Sequence, residues 1–169
     1  MTSRRDWQLA FLRQARSDWE AYQRTIEKSW PICHRLHFLQ MASEKLGKAL
    51  LIRSETKLER ITQSHAAFVK FMRMTGNNFD LHLKLGITRP QLKAQFNQLL
   101  PVAYEIEILA PALAHNGPNP EYPWLDKTGQ IVAPVDCSFP LAQALASPPG
   151  AQLLKNVNYF LAAFEKLFL

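Results

Sequence analysis

Arg60 and His65 are separated by four residues, with Ser64 beside the histidine. An arginine and a histidine held near one another can cleave RNA without a metal. The imidazole takes the proton from a 2′-hydroxyl or protonates the leaving oxygen, while the guanidinium stabilises charge on the phosphorus centre. The same spacing also fits a histidine that packs or caps near a helix start. A second constellation precedes this one. Read at about 100° per residue, Cys33–Ala49 places His37, Gln40, Glu44 and Lys48 on one narrow polar stripe. Glu44 and Lys48 form an i,i+4 pair in the favourable order, which on an exposed helix is worth roughly 0.3 kcal/mol. In a seam between helices the same pair becomes a partly buried network that needs every polar group satisfied, or else a site.

Other chemistry finds less support. His34 and His37 sit one helical turn apart and could share a metal, but no third ligand follows at a fixed spacing. Glycine-rich phosphate loops and a nucleophile elbow are absent from the sequence. No metal and no cofactor are therefore expected. Tyr122 and Trp124, in a proline-rich stretch, could stack a base, although packing the stretch down is the simpler role.

The elements that must position these residues are helical. Leu12, Ala15, Trp19, Tyr22 and Ile26 recur at steps of three and four, which predicts a first helix from Arg5 to Glu27, opened by a Ser3/Asp6 capping box. Ser29-Trp30-Pro31 breaks it. The second helix is predicted over His34–Arg53, with Leu36, Leu39, Ala42, Leu46, Ala49 and Leu50 on its apolar arc. Residues 54–62 read as a polar connection. Ser64 is the expected N-cap of a third, short helix that runs from His65 through Arg73 and stops at Gly76-Asn77-Asn78. Phe79–Ile87 has room for one more short helix. Thr88 and Gln91 form a second capping box, and the helix it opens is expected to reach Ala114, kinked at Pro101 and strained at Pro111.

Residues 115–149 are rich in proline and exclude a long helix. A turn is expected around Asp126–Gly129 and a short extended piece at Ile131–Val135. A last helix, Ala151–Phe168, carries Leu153, Val157, Phe160, Phe164 and Leu167 on one stripe. The whole reads as one domain, residues 1–169. It is expected to be an all-α up-and-down bundle of about five helices with a proline-rich loop before the last.

Composition agrees with a globular chain and adds an asymmetry. Residues 1–75 hold 14 lysines and arginines against 7 acidic residues, and the rest hold 6 against 7. The basic half is compatible with a phosphate or RNA partner, and equally with amphipathic helices that turn cations to water. No apolar run approaches a membrane span, and Cys33 and Cys137 make no disulfide framework. A cytoplasmic protein without a membrane partner is the expectation.

With these residues in view the chain resembles the HEPN family, the nucleotide-binding domain of higher eukaryotes and prokaryotes. Ala15-Arg16-Ser17-Asp18 followed by Ala21 carries the likeness in the first helix. In the second, His37, Gln40, Glu44-Lys45 and Lys48-Ala49 look like the family's pattern, and Ser64-His65 matches its Thr-His start to the third helix. Glu121-Tyr122-Pro123 sits where several members carry Arg-Tyr-Pro. The resemblance implies a helical bundle, often homodimeric, with members in toxin–antitoxin or defence systems. Some members are metal-independent ribonucleases with an Arg-x4–6-His motif, and others bind nucleotides or partners without catalysis. This chain has Ile61 after the arginine where the nucleases usually have a polar residue, and its Arg60–His65 pair falls before the third helix.

The expected function is a module that binds a nucleotide, RNA or a partner through its basic half. His37, Glu44 and Lys48 would line a groove, with Arg60 and His65 at its edge. The alternatives are a ribonuclease toxin using Arg60 and His65 as catalytic residues, and a purely structural interaction module. A cognate nucleotidyltransferase or antitoxin protein would be the natural partner.

Overall fold

Helix α1 (Arg4–Glu27) opens on the capping box, with Ser3 and Asp6 each satisfying the other's backbone N–H. The structure is a computed structural model that describes residues 3–52, 57–115 and 117–169. Leu12, Ala15, Trp19 and Tyr22 face inward from α1. Ser29, at φ 51°, turns the chain, and α2 (Ile32–Leu51) returns alongside α1. The expected end of α2 at Arg53 lies outside the described residues. Every residue of its apolar arc is buried, and so are Gln40, Glu44 and Lys48. Between α1 and α2 an Asp18–Lys45 pair closes at 2.6 Å, with Gln14 donating to the same carboxylate.

The connection expected over residues 54–62 is helical in its second half, as α3 (Leu58–Thr62). Ile61 drives this: it buries against a small cluster with Leu51, Ile52 and Ala67. The third predicted helix starts later than Ser64 and His65. It is α4 (Phe68–Gly76), and Ser64 does not cap it. Among the described residues Ser64 Oγ accepts from the Ala66 N–H, a local turn, while the Val69 N–H of α4 goes to Glu107. α5 (Leu81–Leu85) is the short helix for which Phe79–Ile87 had room.

α6 (Arg89–Glu107) carries the Thr88/Gln91 capping box and passes through Pro101, but stops seven residues short of Ala114. Ala110 precedes Pro111 and takes ψ 128°, as a residue before proline tends to. α7 (Pro111–Ala114) is therefore a separate turn. The proline-rich stretch holds a two-stranded antiparallel hairpin, β1 (Trp124–Leu125) with β2 (Ile131–Val132), then a 3-10 turn (Pro134–Asp136) and α8 (Pro140–Ala146). Trp124 packs inward and Tyr122 stays exposed. α9 (Pro148–Phe168) starts three residues earlier than expected, because prolines are tolerated in a first turn where Ser147 caps Gly150.

Among the described residues the architecture is all-α apart from the hairpin. Phe71 from α4, Phe96 from α6 and Phe160, Phe164 and Phe168 from α9 stack in the centre, with Phe71 and Phe160 edge to face at 5.6 Å. Arg16 joins α1 to α9 by forking onto Glu165 at 2.8 and 3.2 Å, and its Nε donates to the Leu161 carbonyl. No helix among the described residues is long and apolar enough to cross a membrane.

Candidate functional site

The polar stripe of α2 is aimed at the segment between α3 and α4. Gln40 donates to Glu44 Oε2 at 2.9 Å, and Lys48 Nζ stands 2.7 Å from Glu44 Oε1. Glu44 and Lys48 are only 7% and 5% exposed. Leaving such a charge without a partner would be costly, and here each has more than one. Lys48 also donates to the Thr62 carbonyl at 2.9 Å and lies 5.7 Å over the Phe11 ring.

Glu44 Oε2 meets His65 Nδ1 at 3.1 Å. The His65 side chain is 45% exposed, and among the described residues nothing bonds its Nε2. One edge of the imidazole is thus held by a buried carboxylate while the other faces solvent. Burial pushes the Glu44 carboxyl up, but Lys48, Gln40 and His65 outweigh it and hold the group below the usual carboxylate range. It stays ionised, accepts from Nδ1–H and leaves the lone pair of a neutral ring on Nε2.

The backbone under His65 is fixed as tightly as the ring. Gly47 of α2 lets the two segments touch: a Cβ there would sit 2.5 Å from the Ala67 carbonyl oxygen. From the other side, Glu107 at the end of α6 accepts from the Val69 N–H at 2.9 Å. That carboxylate supplies the cap that Ser64 does not. Burial raises the Glu107 carboxyl, and nearby Glu44 adds to the rise, against the lowering by the Val69 and Phe68 N–H groups and Arg73.

Of the residues singled out in the sequence, Glu44, Lys48 and His65 come together. Arg60 lies exposed on the last turn of α3, two residues before the carbonyl that Lys48 holds, and among the described residues no bond joins it to His65. Ile61, the next residue, is buried against Leu51, Ile52 and Ala67. His37 leaves the group: its Nδ1 is 3.5 Å from Glu121 Oε1, on the proline-rich stretch. His34 is exposed and lies edge-on to Trp30. Among the described residues no three His, Cys, Asp or Glu side chains converge as a metal site would need. Glu44 and Lys48 lie beneath the surface and do not themselves line a groove.

Sequence reasoning passed over Gly47 and Glu107. Both carry a signal: a glycine inside a strongly periodic helix, and an acid one turn beyond Ala103 on the buried face of α6. Set against known proteins, the chain matches no family model, no curated protein and no solved structure.

Proposed function

We propose that this chain is a HEPN-like helical bundle that takes RNA at the His65 edge and cleaves it without a metal. The observation that supports this is the Glu44–His65 contact, a buried carboxylate orienting a half-exposed imidazole. Neutral His65 would accept the 2′-hydroxyl proton on Nε2. The 2′-oxygen then attacks phosphorus, the P–O5′ bond breaks, and the 5′-oxygen takes a proton from the imidazolium. The products are a 2′,3′-cyclic phosphate and a 5′-hydroxyl. Arg60 would contact the phosphate and stabilise its charge. Glu44 positions, and Lys48 holds Glu44 ionised. Neither touches substrate.

Two observations favour a second reading, binding of a nucleotide, RNA or partner without turnover. Among the described residues no bond joins Arg60 to His65, and Glu44 and Lys48 are satisfied by the chain's own groups. A homodimer, a nucleotidyltransferase or antitoxin partner, and a toxin–antitoxin or defence role belong to the same proposal and rest on the family resemblance. RNA incubated in EDTA beside the same strand with 2′-deoxy sugars tests the chemistry. Cleavage of the first alone, leaving cyclic phosphate ends, supports the ribonuclease. Salt-sensitive binding with both strands intact supports the second reading.

A further inference from the structure

A cavity of about 310 Å³ opens where the end of α1 meets the start of α2. Ala21, Arg24 and Lys28 line it from the α1 side, and Trp30 and Phe38 bring two aromatic rings to it. Trp30 is 44% exposed, yet the turn holds its backbone from both sides. Its N–H donates to the Thr25 carbonyl at 2.9 Å, and its own carbonyl accepts from Arg35 Nε at 3.1 Å. Ser29 leads into it at φ 51°, a region few residues other than glycine adopt. The His34 ring stands edge-on to the indole at 5.9 Å. An indole left in water but fixed in this way offers a preformed face for stacking at little further entropic cost.

The charges beside those rings are mostly positive. Arg24 and Lys28 follow one helical turn apart, so both fall on one face of α1. Among the lining residues Glu20 is the sole acid. It reaches Arg24 only at 3.9 Å, with both side chains largely exposed, and such a contact holds the guanidinium weakly. Lys28 is exposed and makes no ion pair among the described residues. Two cations free to turn toward an anion thus stand beside two aromatic faces.

We infer that this cavity binds a nucleoside phosphate, with the base against Trp30 and Phe38 and the phosphate between Arg24 and Lys28. A base supplies the planar ring that an exposed indole stacks best, and a phosphate supplies the oxygens that a guanidinium and an ammonium hold by charge-assisted bonds. Glu20 is left to accept from a sugar hydroxyl. The cavity is large enough for one such unit and lies at the small end of ligand sites. It is also remote from the His65 edge: Phe38 belongs to the first half of α2, and Lys48 to its last turn. None of Arg24, Lys28, Trp30 and Phe38 belongs to the pattern behind the family resemblance. The site therefore stands whether or not RNA is cleaved at His65.

Calorimetric titration of the intact chain with adenosine 5′-monophosphate, adenosine and inorganic phosphate reads the site. The monophosphate is expected to bind about tenfold or more tightly than either fragment, because each fragment meets only one half of the cavity. Trp30→Ala, and Arg24→Gln combined with Lys28→Gln, are each expected to weaken it about fivefold or more while keeping their helix content. Trp30→Phe keeps a ring and is expected to retain most of the affinity. No saturable binding of the monophosphate up to about 1 mM overturns the inference. So does affinity of wild-type size in Trp30→Ala or in the double variant, which would place the ligand elsewhere. Phosphate that binds as well as the monophosphate overturns it too, as a mere anion patch. A short 2′-O-methyl RNA, which cannot be cleaved, separates the two sources of the ligand. Displacement of the monophosphate assigns the site to one nucleotide of a strand, no displacement assigns it to the free nucleotide, and either result upholds the site.

Discussion

Glu44 Oε2 lies 3.1 Å from His65 Nδ1 across 21 residues of sequence. Three further contacts keep the two together. Lys48 holds the Thr62 carbonyl, Gly47 admits the Ala67 carbonyl, and Glu107 takes the Val69 N–H. The histidine lies between α3 and α4 and is positioned by contacts with α2 and α6.

Replacing Glu44 tests how far this network holds the fold. Glu44→Gln leaves the buried Lys48 ammonium without its anion and is expected to cost about 3 kcal/mol in urea unfolding. Because the Glu44 carboxyl is lowered in the folded chain, its contribution is present above the unfolded carboxylate value. It is lost as pH falls through the folded one. Unfolding followed from about pH 5 to 3 is accordingly shallower in the variant than in the wild type.

Glu107 has the opposite sign. Its carboxyl is raised, so its contribution is greatest below the unfolded value and fades as pH rises through the folded one. Glu107→Gln keeps an acceptor for the Val69 N–H and removes the buried charge, and is expected to match or exceed wild-type stability at neutral pH. Glu107→Ala strands that N–H and is expected to lose about 1–2 kcal/mol. Thermal melts of the two variants at neutral pH separate the cap from the charge.

Gly47→Ala adds one methyl where there is no room. The new Cβ would meet the Ala67 carbonyl oxygen at 2.5 Å and its carbon at 2.7 Å, both backbone atoms that cannot rotate away. A loss of about 1–3 kcal/mol is expected from the overpacking, measured by urea unfolding. The 63–68 segment must move from α2, so the His65 ring resonances should shift more than those of His115, which follows α7.

The long helices were legible because α1, α2 and α9 carry unbroken apolar stripes, and because Ser3/Asp6 and Thr88/Gln91 are local boxes that need nothing from the rest of the chain. The start of α4 was not legible. Its cap comes from Glu107, 38 residues away from Val69, and a locally plausible Ser64 stood in the right place. Likewise α3 owes its existence to Ile61 burying against Ile52 and Ala67, a tertiary contact that a polar segment does not advertise. The stripe on α2 gave Glu44 and Lys48 correctly as one group. Periodicity alone could not show that His65 completes it, or that His37 turns to Glu121 instead.

The most direct test of the central claim is cleavage of a labelled single-stranded RNA in EDTA by the wild type, His65→Ala, Arg60→Ala and Glu44→Gln, each first verified as folded. Cleavage is expected with the wild type and none detectable with His65→Ala. A loss of roughly 10²-fold or more is expected with Arg60→Ala, and an intermediate loss with Glu44→Gln, which removes orientation and not the imidazole. Cleavage that persists in His65→Ala, or folded wild-type protein that leaves the RNA intact, would contradict a ribonuclease built on His65.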